Sequence, residues 1–168
     1  MKKALVVLTV LLSLFAGVAT AATNSGTAVI PHYQAAYTIG IFETFINLSN
    51  ITDQNINVKV ILYNSDGTIL TDTDNDPLGG TIKAHDNILN YLDNLTDASL
   101  SFTLGPNSSC RFVVTGNDSV RGYGVIKWEQ DSKAVCGLVA HGIGFYSGAN
   151  YSSGRNMVAI PINNGLPF

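Results

Sequence analysis

Asp72, Asp74 and Asp76 alternate within the stretch Asp72-Thr73-Asp74-Asn75-Asp76. Oxygen ligands at that spacing suit a hard cation such as Ca2+. An EF-hand loop would also need Gly at its sixth position and Glu at its twelfth, where this chain has Pro77 and Lys83. The three aspartates are therefore candidate calcium ligands outside that motif, with a solvated acidic turn as the plainer reading. His32, His85 and His141 are scattered, and no pair has the i, i+4 spacing of a helical zinc site. No Gly-x-Ser-x-Gly elbow is present for a serine nucleophile. A glycosidase needs two carboxylates flanking the scissile bond. The glutamates are Glu43 and Glu129, whose spatial separation the sequence does not give. A hydrolase would have to assemble its site from distant residues, as triads do.

Seven tyrosines and one tryptophan combine apolar bodies with polar tips. That chemistry serves a sugar platform or ordinary packing. Trp128 shares a parity with Ile126 and reads as core. Tyr123 shares the opposite parity with Arg121 and Lys127, so these three form a candidate ligand-binding face. Cys110 and Cys136 are the two cysteines, and neither lies in a Cys-x-x-Cys pair or beside a His. In an oxidising compartment they are expected to form a disulfide, contributing on the order of 3 kcal/mol if the geometry is unstrained.

The elements that must carry these groups follow from composition and periodicity. The chain has 168 residues, 46% hydrophobic and 12% charged, with a formal net charge of −3. Ordinary domains carry about 25% charged residues. This balance argues against a nucleic-acid partner, a coiled coil, a long solvated helix or a disordered tail. Met1-Lys2-Lys3 is basic, Ala4 to Val18 is an uncharged apolar run, and Ala19-Thr20-Ala21 supplies small residues for a signal peptidase. The run falls short of the roughly 20 residues that span a bilayer. Residues 1–21 are thus expected to be a cleaved signal peptide of prokaryotic type. Residues 22–168 are expected to be a single domain sent to the periplasm, cell surface or medium, with no membrane span in the mature chain.

Beyond the leader, short windows alternate apolar and polar residues, and turn residues punctuate them every 8–12 positions or so, the spacing of an antiparallel sandwich or barrel. Ile56, Val58, Val60 and Leu62 alternate with Asn57, Lys59, Ile61 and Tyr63, and Asn64-Ser65-Asp66-Gly67 then turns toward a return strand at Thr68 to Thr71. Further strands are expected from Thr38 to Leu48, Ser99 to Leu104, Cys110 to Thr115, Arg121 to Glu129 and Val135 to Phe145, with shorter ones at Gly80 to Ala84 and Asn87 to Tyr91. Met157 to Ile162 is a last strand whose Pro161 suits a sheet edge. It can close its own sheet or add to a neighbour's edge. The lead-in Thr23 to Thr27 and the loop Ser147 to Arg155 read as mobile. The fold class is all-β, a single antiparallel β-sandwich.

The order Phe45-Ile46-Asn47-Leu48-Ser49-Asn50, then Ile56 to Tyr63, then Ser65-Asp66-Gly67 continues with Lys83-Ala84 and Leu89-Asn90-Tyr91-Leu92. Ser108-Ser109 then lead into Cys110 to Thr115, followed by Val125 to Trp128. Over Tyr37 to Glu129 this resembles the small β-sandwich modules of the sensory-rhodopsin-transducer-like group. The resemblance implies a sandwich and an oligomeric binding module without catalytic residues. The leader and the cysteine pair depart from the cytosolic transducers, so it implies no rhodopsin partner. The expected function is a secreted, non-enzymatic β-sandwich acting by self-association or by binding an extracellular protein or glycan, as a structural or adhesion-like subunit. The alternative is a calcium- or carbohydrate-binding secreted module, with no other cofactor expected. A hydrolase is the third reading.

Overall fold

The computed structural model describes residues 23–37, 40–70, 81–86, 88–94, 99–115, 119–131, 136–148 and 155–168. Residues 1–22, where the expected leader falls, lie outside them. In chain order the strands are β1 (Thr23–Ala35), β2 (Gly40–Asn50), β3 (Ile56–Asn64), β4 (Ile82–His85), β5 (Ile88–Asn94), β6 (Ser99–Leu104), β7 (Ser109–Val114), β8 (Val120–Asp131), β9 (Leu138–Gly148) and β10 (Arg155–Pro161). Two five-stranded sheets result, ordered β1-β8-β3-β6-β5 and β10-β9-β2-β7-β4. Their strand pairs are antiparallel, and the two layers form the expected sandwich.

Side-chain alternation builds the core between the layers. The first sheet turns Val58, Val60, Leu62, Phe102, Leu104, Ile126 and Trp128 inward, and the second turns Ile46, Leu48, Phe112, Val114, Leu138 and Ala140 to meet them. Burying each large apolar side chain stabilises the fold by about 1.5–3 kcal/mol before entropy is counted. β1 changes parity midway: Ala28 and Ile30 face inward, and so do Tyr33 and Ala35. The cause is a bulge, because Ile30 pairs with Gly124 while Tyr33 pairs with Gly122. The extra residue restores an inward Tyr33, and Pro31 falls in this irregular stretch of an edge strand, where a missing N–H is tolerated.

The turn after β3 forms as its residues suggest. Gly67 N–H donates to the Asn64 carbonyl at 2.9 Å, and Gly67 has φ of +85°. Asp66 Oδ1 accepts from Thr68 Oγ1 at 2.6 Å and from Thr68 N–H at 3.0 Å, and these two bonds, the side-chain one foremost, hold the Asp66 carboxyl below its ordinary pKa. Of the expected return strand Thr68 to Thr71, Thr71 lies outside the described residues, and the described part forms a bridge between Ile69 and Tyr63. Thr23 to Thr27 is not a loose lead-in, since each of these residues pairs along β8, from Asp131 to Lys127. β10 pairs with β9 along its whole length and closes the chain's own sheet. After a 3-10 turn at Asn163–Gly165, Phe168 exchanges backbone hydrogen bonds with Leu138 at 2.9 and 3.2 Å.

The expected disulfide does not form: Cys110 is buried and free, and Cys136 is exposed and free. The register explains why. Cys110 lies opposite Leu48 on β2, and Leu48 lies opposite Ala140 on β9, with Cys136 further back along that chain. Two strand spacings across and four residues along put the Cα atoms roughly 16 Å apart, well beyond the ~7 Å limit for a bridge. Burial, and secondarily the Asp86 carboxylate, pushes the Cys110 thiol up to about 12. A thiol reagent is therefore expected to label one cysteine in the folded protein within minutes and both after unfolding, without prior reduction. Recovery of two thiols only after reductant would contradict the register.

Candidate functional site

The recessed surface lies on the outer face of the first sheet. Outward residues there line up in rows across the strands. Ser25, Glu129, Asn57 and Thr103 form one row from β1 to β6. Thr27, Lys127, Lys59 and Ser101 form the next. Val29, Val125 and Ile61 form a third, apolar one. Tyr123 and Tyr63 pair in the fourth and stack, with ring centroids 4.9 Å apart and planes 13° from parallel.

A recess of about 500 Å3 covers the first two rows. It continues into a second of about 610 Å3 toward Thr23, Gln54 and Asp131. Both are lined by Asn57, Asn90, Thr103 and Glu129. Three of these are hydrogen-bonded to one another. Thr103 Oγ1 donates to Asn57 Oδ1 at 3.1 Å, and Asn90 Nδ2 donates to Thr103 Oγ1 at 3.4 Å. Asn90 reaches the recess because β5 is irregular between Leu89 and Leu92 and Asn90 has φ of +53°. A bulge at a sheet edge re-aims a side chain in this way, and Asn tolerates the left-handed region better than most residues.

The sequence candidates distribute as follows. Arg121, Tyr123 and Lys127 are exposed on the outer face of β8, as their parity requires. Lys127 joins the recess, whereas Tyr123 stands two rows away with Tyr63, and Arg121 stands beyond it opposite Gln34. Asp72, Asp74 and Asp76 lie outside the described residues. Among the described residues, no group of three or more His, Cys, Asp or Glu side chains is placed to hold a metal. Glu43 is on β2 and Glu129 on β8, each pointing away from the core on opposite sheets. Sheets pack about 10 Å apart, so outward carboxylates on opposite layers exceed the ~5–9.5 Å separation of a glycosidase pair. Glu43 Oε1 instead accepts from the Tyr37 hydroxyl at 2.5 Å and from Thr115 Oγ1 at 3.3 Å. His32 is exposed on β1 and His141 on β9, in different sheets.

Tyr33 is fully buried, and its hydroxyl donates to Asn64 Oδ1 at 3.1 Å. Burial, and then the Asp66 charge, raises its phenol to about 12. Trp128 is core, as its parity with Ile126 suggests. Asn57, Lys59, Asn90, Ser101 and Thr103 are recess residues that sequence reasoning missed as a group. The outward parity of Asn57 and Lys59 was legible, but only the β3–β8 and β3–β6 registers place them beside Glu129, Lys127 and Thr103.

The outer face of the second sheet differs in character. Met157, Phe145 and Glu43 share a row, and Ala159, Ile143, Phe45 and Val113 share the next. Phe45 and Phe145 meet edge to face at 6.2 Å, and the Arg111 guanidinium lies 5.7 Å from the Phe45 ring centre. This apolar stripe runs to β10, where Met157 is 68% exposed; Val158, of the opposite parity and in the row of Gly144 and Thr44, is 66% exposed because β10 is a sheet edge. No helix among the described residues is long and apolar enough to cross a membrane. Compared with known proteins, the chain matches no protein-family model, no curated protein and no solved structure.

Proposed function

We propose that the chain is an exported, non-enzymatic β-sandwich that works by associating with further copies of itself along β10. The observation that carries this reading is the contrast between β10 and the other three sheet edges. Natural edges are blunted by bulges, proline, lysine or shortness. β1 carries a bulge next to Pro31, β5 carries an irregularity at Asn90, and β4 has four residues including Lys83. β10 pairs regularly over its full length, and its Pro161 stands only at the end. No charged residue follows Arg155 in the strand.

The occupant that fits this edge is a second β10. Val158 is the central residue of Arg155–Pro161. An antiparallel pair of identical strands is two-fold symmetric and so self-complementary. Centred on Val158, it would set valine against valine and Met157 against Ala159 of the other copy. Apolar cross-strand pairs of this type each contribute roughly 0.2–1 kcal/mol. The chain's low charge weakens repulsion between copies. The leader-like residues 1–21 support export, and the placement of Glu43 away from Glu129 and of His32 away from His141 supports a non-catalytic role. Light scattering of the mature chain should show mass rising with concentration, and Val158→Lys should hold it monomeric without lowering its melting temperature. A wild type that stays strictly monomeric at millimolar concentration would end this reading.

A further inference from the structure

We infer that the outer face of the second sheet seats against a membrane surface carrying anionic headgroups, a site independent of the β10 pairing. Two imbalances on that face point to this partner. The first is apolar. Strands of a sandwich ordinarily turn polar residues outward, as the first sheet does with Ser25, Asn57 and Thr103. The second sheet instead turns Phe45, Ile143, Phe145 and Ala159 outward, and Met157 at its margin is 68% exposed.

The second imbalance is charge. The chain carries a formal net charge of −3, yet this face carries Arg111 on β7 and Lys83 on β4. They are diagonal neighbours, because Lys83 pairs with Val113. Arg111 Nε donates to Asn47 Oδ1 at 3.0 Å, and its guanidinium lies over the Phe45 ring. Those contacts hold the cation in place and leave its charge unneutralised. Among the described residues, no carboxylate forms an ion pair with Arg111 or Lys83. Glu43, on the same face, accepts from the Tyr37 hydroxyl and from Thr115 Oγ1. The Asp86 charge is felt at the inward Cys110 thiol.

The remaining polar groups narrow the class of partner. Asn47 Oδ1 is taken by Arg111, and Ser49 Oγ and Ser109 Oγ bond each other at 2.7 Å. A protein partner is recognised through directional hydrogen bonds, about one per 100–200 Å2 of interface. This face has already spent such groups on itself. It offers apolar area and unpaired positive charge, neither of which is directional. A lipid surface takes the two together, with anionic headgroups over Arg111 and Lys83 and the acyl boundary against Met157 and the phenylalanines. A second copy of the chain fits less well, because it brings the same positive excess to the contact. The acidic remainder of the molecule then faces water.

The test is flotation of the mature chain with vesicles of mixed phosphatidylglycerol and phosphatidylcholine, against vesicles of phosphatidylcholine alone. The chain should float with the anionic vesicles, less so as salt rises. It should bind the neutral ones at least about tenfold more weakly. Lys83→Gln and Arg111→Gln should each weaken binding roughly fivefold, the scale of one cation at an anionic surface. Lys127→Gln removes the same charge from the opposite sheet and should leave binding unchanged, and both lysine variants should melt as the wild type does. In the unmutated protein, spin-labelled lipid should broaden the amide resonances of Phe45, Ile143, Phe145 and Met157, while those of Asn57 and Lys127 stay sharp. Association along β10 is read separately, by mass without lipid, so either reading can fail alone. No flotation at millimolar lipid, equal binding to neutral vesicles, an equal loss in Lys127→Gln or broadening confined to the first sheet would each overturn the inference. So would a soluble glutamate polymer that binds as tightly as the vesicles, since the partner would then be an acidic chain.

Discussion

Gly122→Ala is expected to unfold the protein at room temperature or leave it several degrees from unfolding. Gly122 lies on β8 opposite Asn64 of β3 and Tyr33 of β1. A Cβ there would fall 1.7 Å from the Tyr63 carbonyl oxygen and 2.8 Å from its carbon. Those are backbone atoms within a paired strand, so no rotamer change relieves the clash. Relief requires β3 to move away from β8, which breaks the Tyr63–Tyr123 stack and disturbs the buried Tyr33 hydroxyl on Asn64. Overpacking costs about 1–3 kcal/mol where side chains can yield, and a fixed backbone obstacle belongs at or above the top of that range. Gly144→Ala is the matched control. On β9 the nearest atom to a new Cβ is the Val158 carbonyl oxygen at 3.8 Å, an ordinary contact. It should leave the melting temperature nearly unchanged or raise it slightly, because alanine restricts the unfolded chain more than glycine. Thermal melts of both variants decide the matter, and equal destabilisation would show that the β3–β8 contact at Gly122 is looser than described.

What the sequence made legible follows from the period of two. The inward sets on β3, β6, β7 and β8 come straight from alternation, and so do the outward Arg121, Tyr123 and Lys127. β1 resisted this reading because its bulge flips parity between Ile30 and Tyr33, which hid Tyr33 as a core residue. The cysteines misled for a related reason. Compartment chemistry predicts that a pair will bond, but only register says that β2 lies between β7 and β9 and that Cys136 falls beyond the paired stretch. The recess was opaque on the same ground. Asn57 and Lys59 were visibly outward, yet their neighbours Glu129, Lys127, Ser101 and Thr103 come from strands more than forty residues away in the chain, and antiparallel pairing between distant strands leaves no local trace.

Asn50 joins the two layers through one buried side chain, and its replacement should cost nearly as much as the Gly122 clash. It is 2% exposed at the end of β2. Its Nδ2 donates to the carbonyls of Gln54 at 2.7 Å, Gly105 at 2.7 Å and Leu104 at 3.2 Å, the last two at the end of β6 in the opposite sheet. Its Oδ1 accepts from Thr52 N–H at 2.9 Å and Thr52 Oγ1 at 2.8 Å. Gln130 Nε2 donates in turn to Thr52 Oγ1 at 2.6 Å, which ties β8 into the same network. Asn50→Leu keeps the volume but strands buried carbonyls, each worth about 1–3 kcal/mol of lost solvation, so a total loss of roughly 3–5 kcal/mol is expected. Asn50→Asp separates charge from size. The introduced carboxyl would face carbonyl oxygens that repel its ionised form, so its pKa in the folded state rises above the unfolded value near 4. The folded state then holds the proton more tightly than the unfolded one. Stability therefore falls as pH climbs from about 4 toward the raised folded value, whereas Asn50→Leu should show no such slope. Denaturant melts of both variants at pH 4 and pH 7 measure this directly, and a pH-independent Asn50→Asp would mean that water, rather than the carbonyls of Leu104 and Gly105, surrounds the side chain.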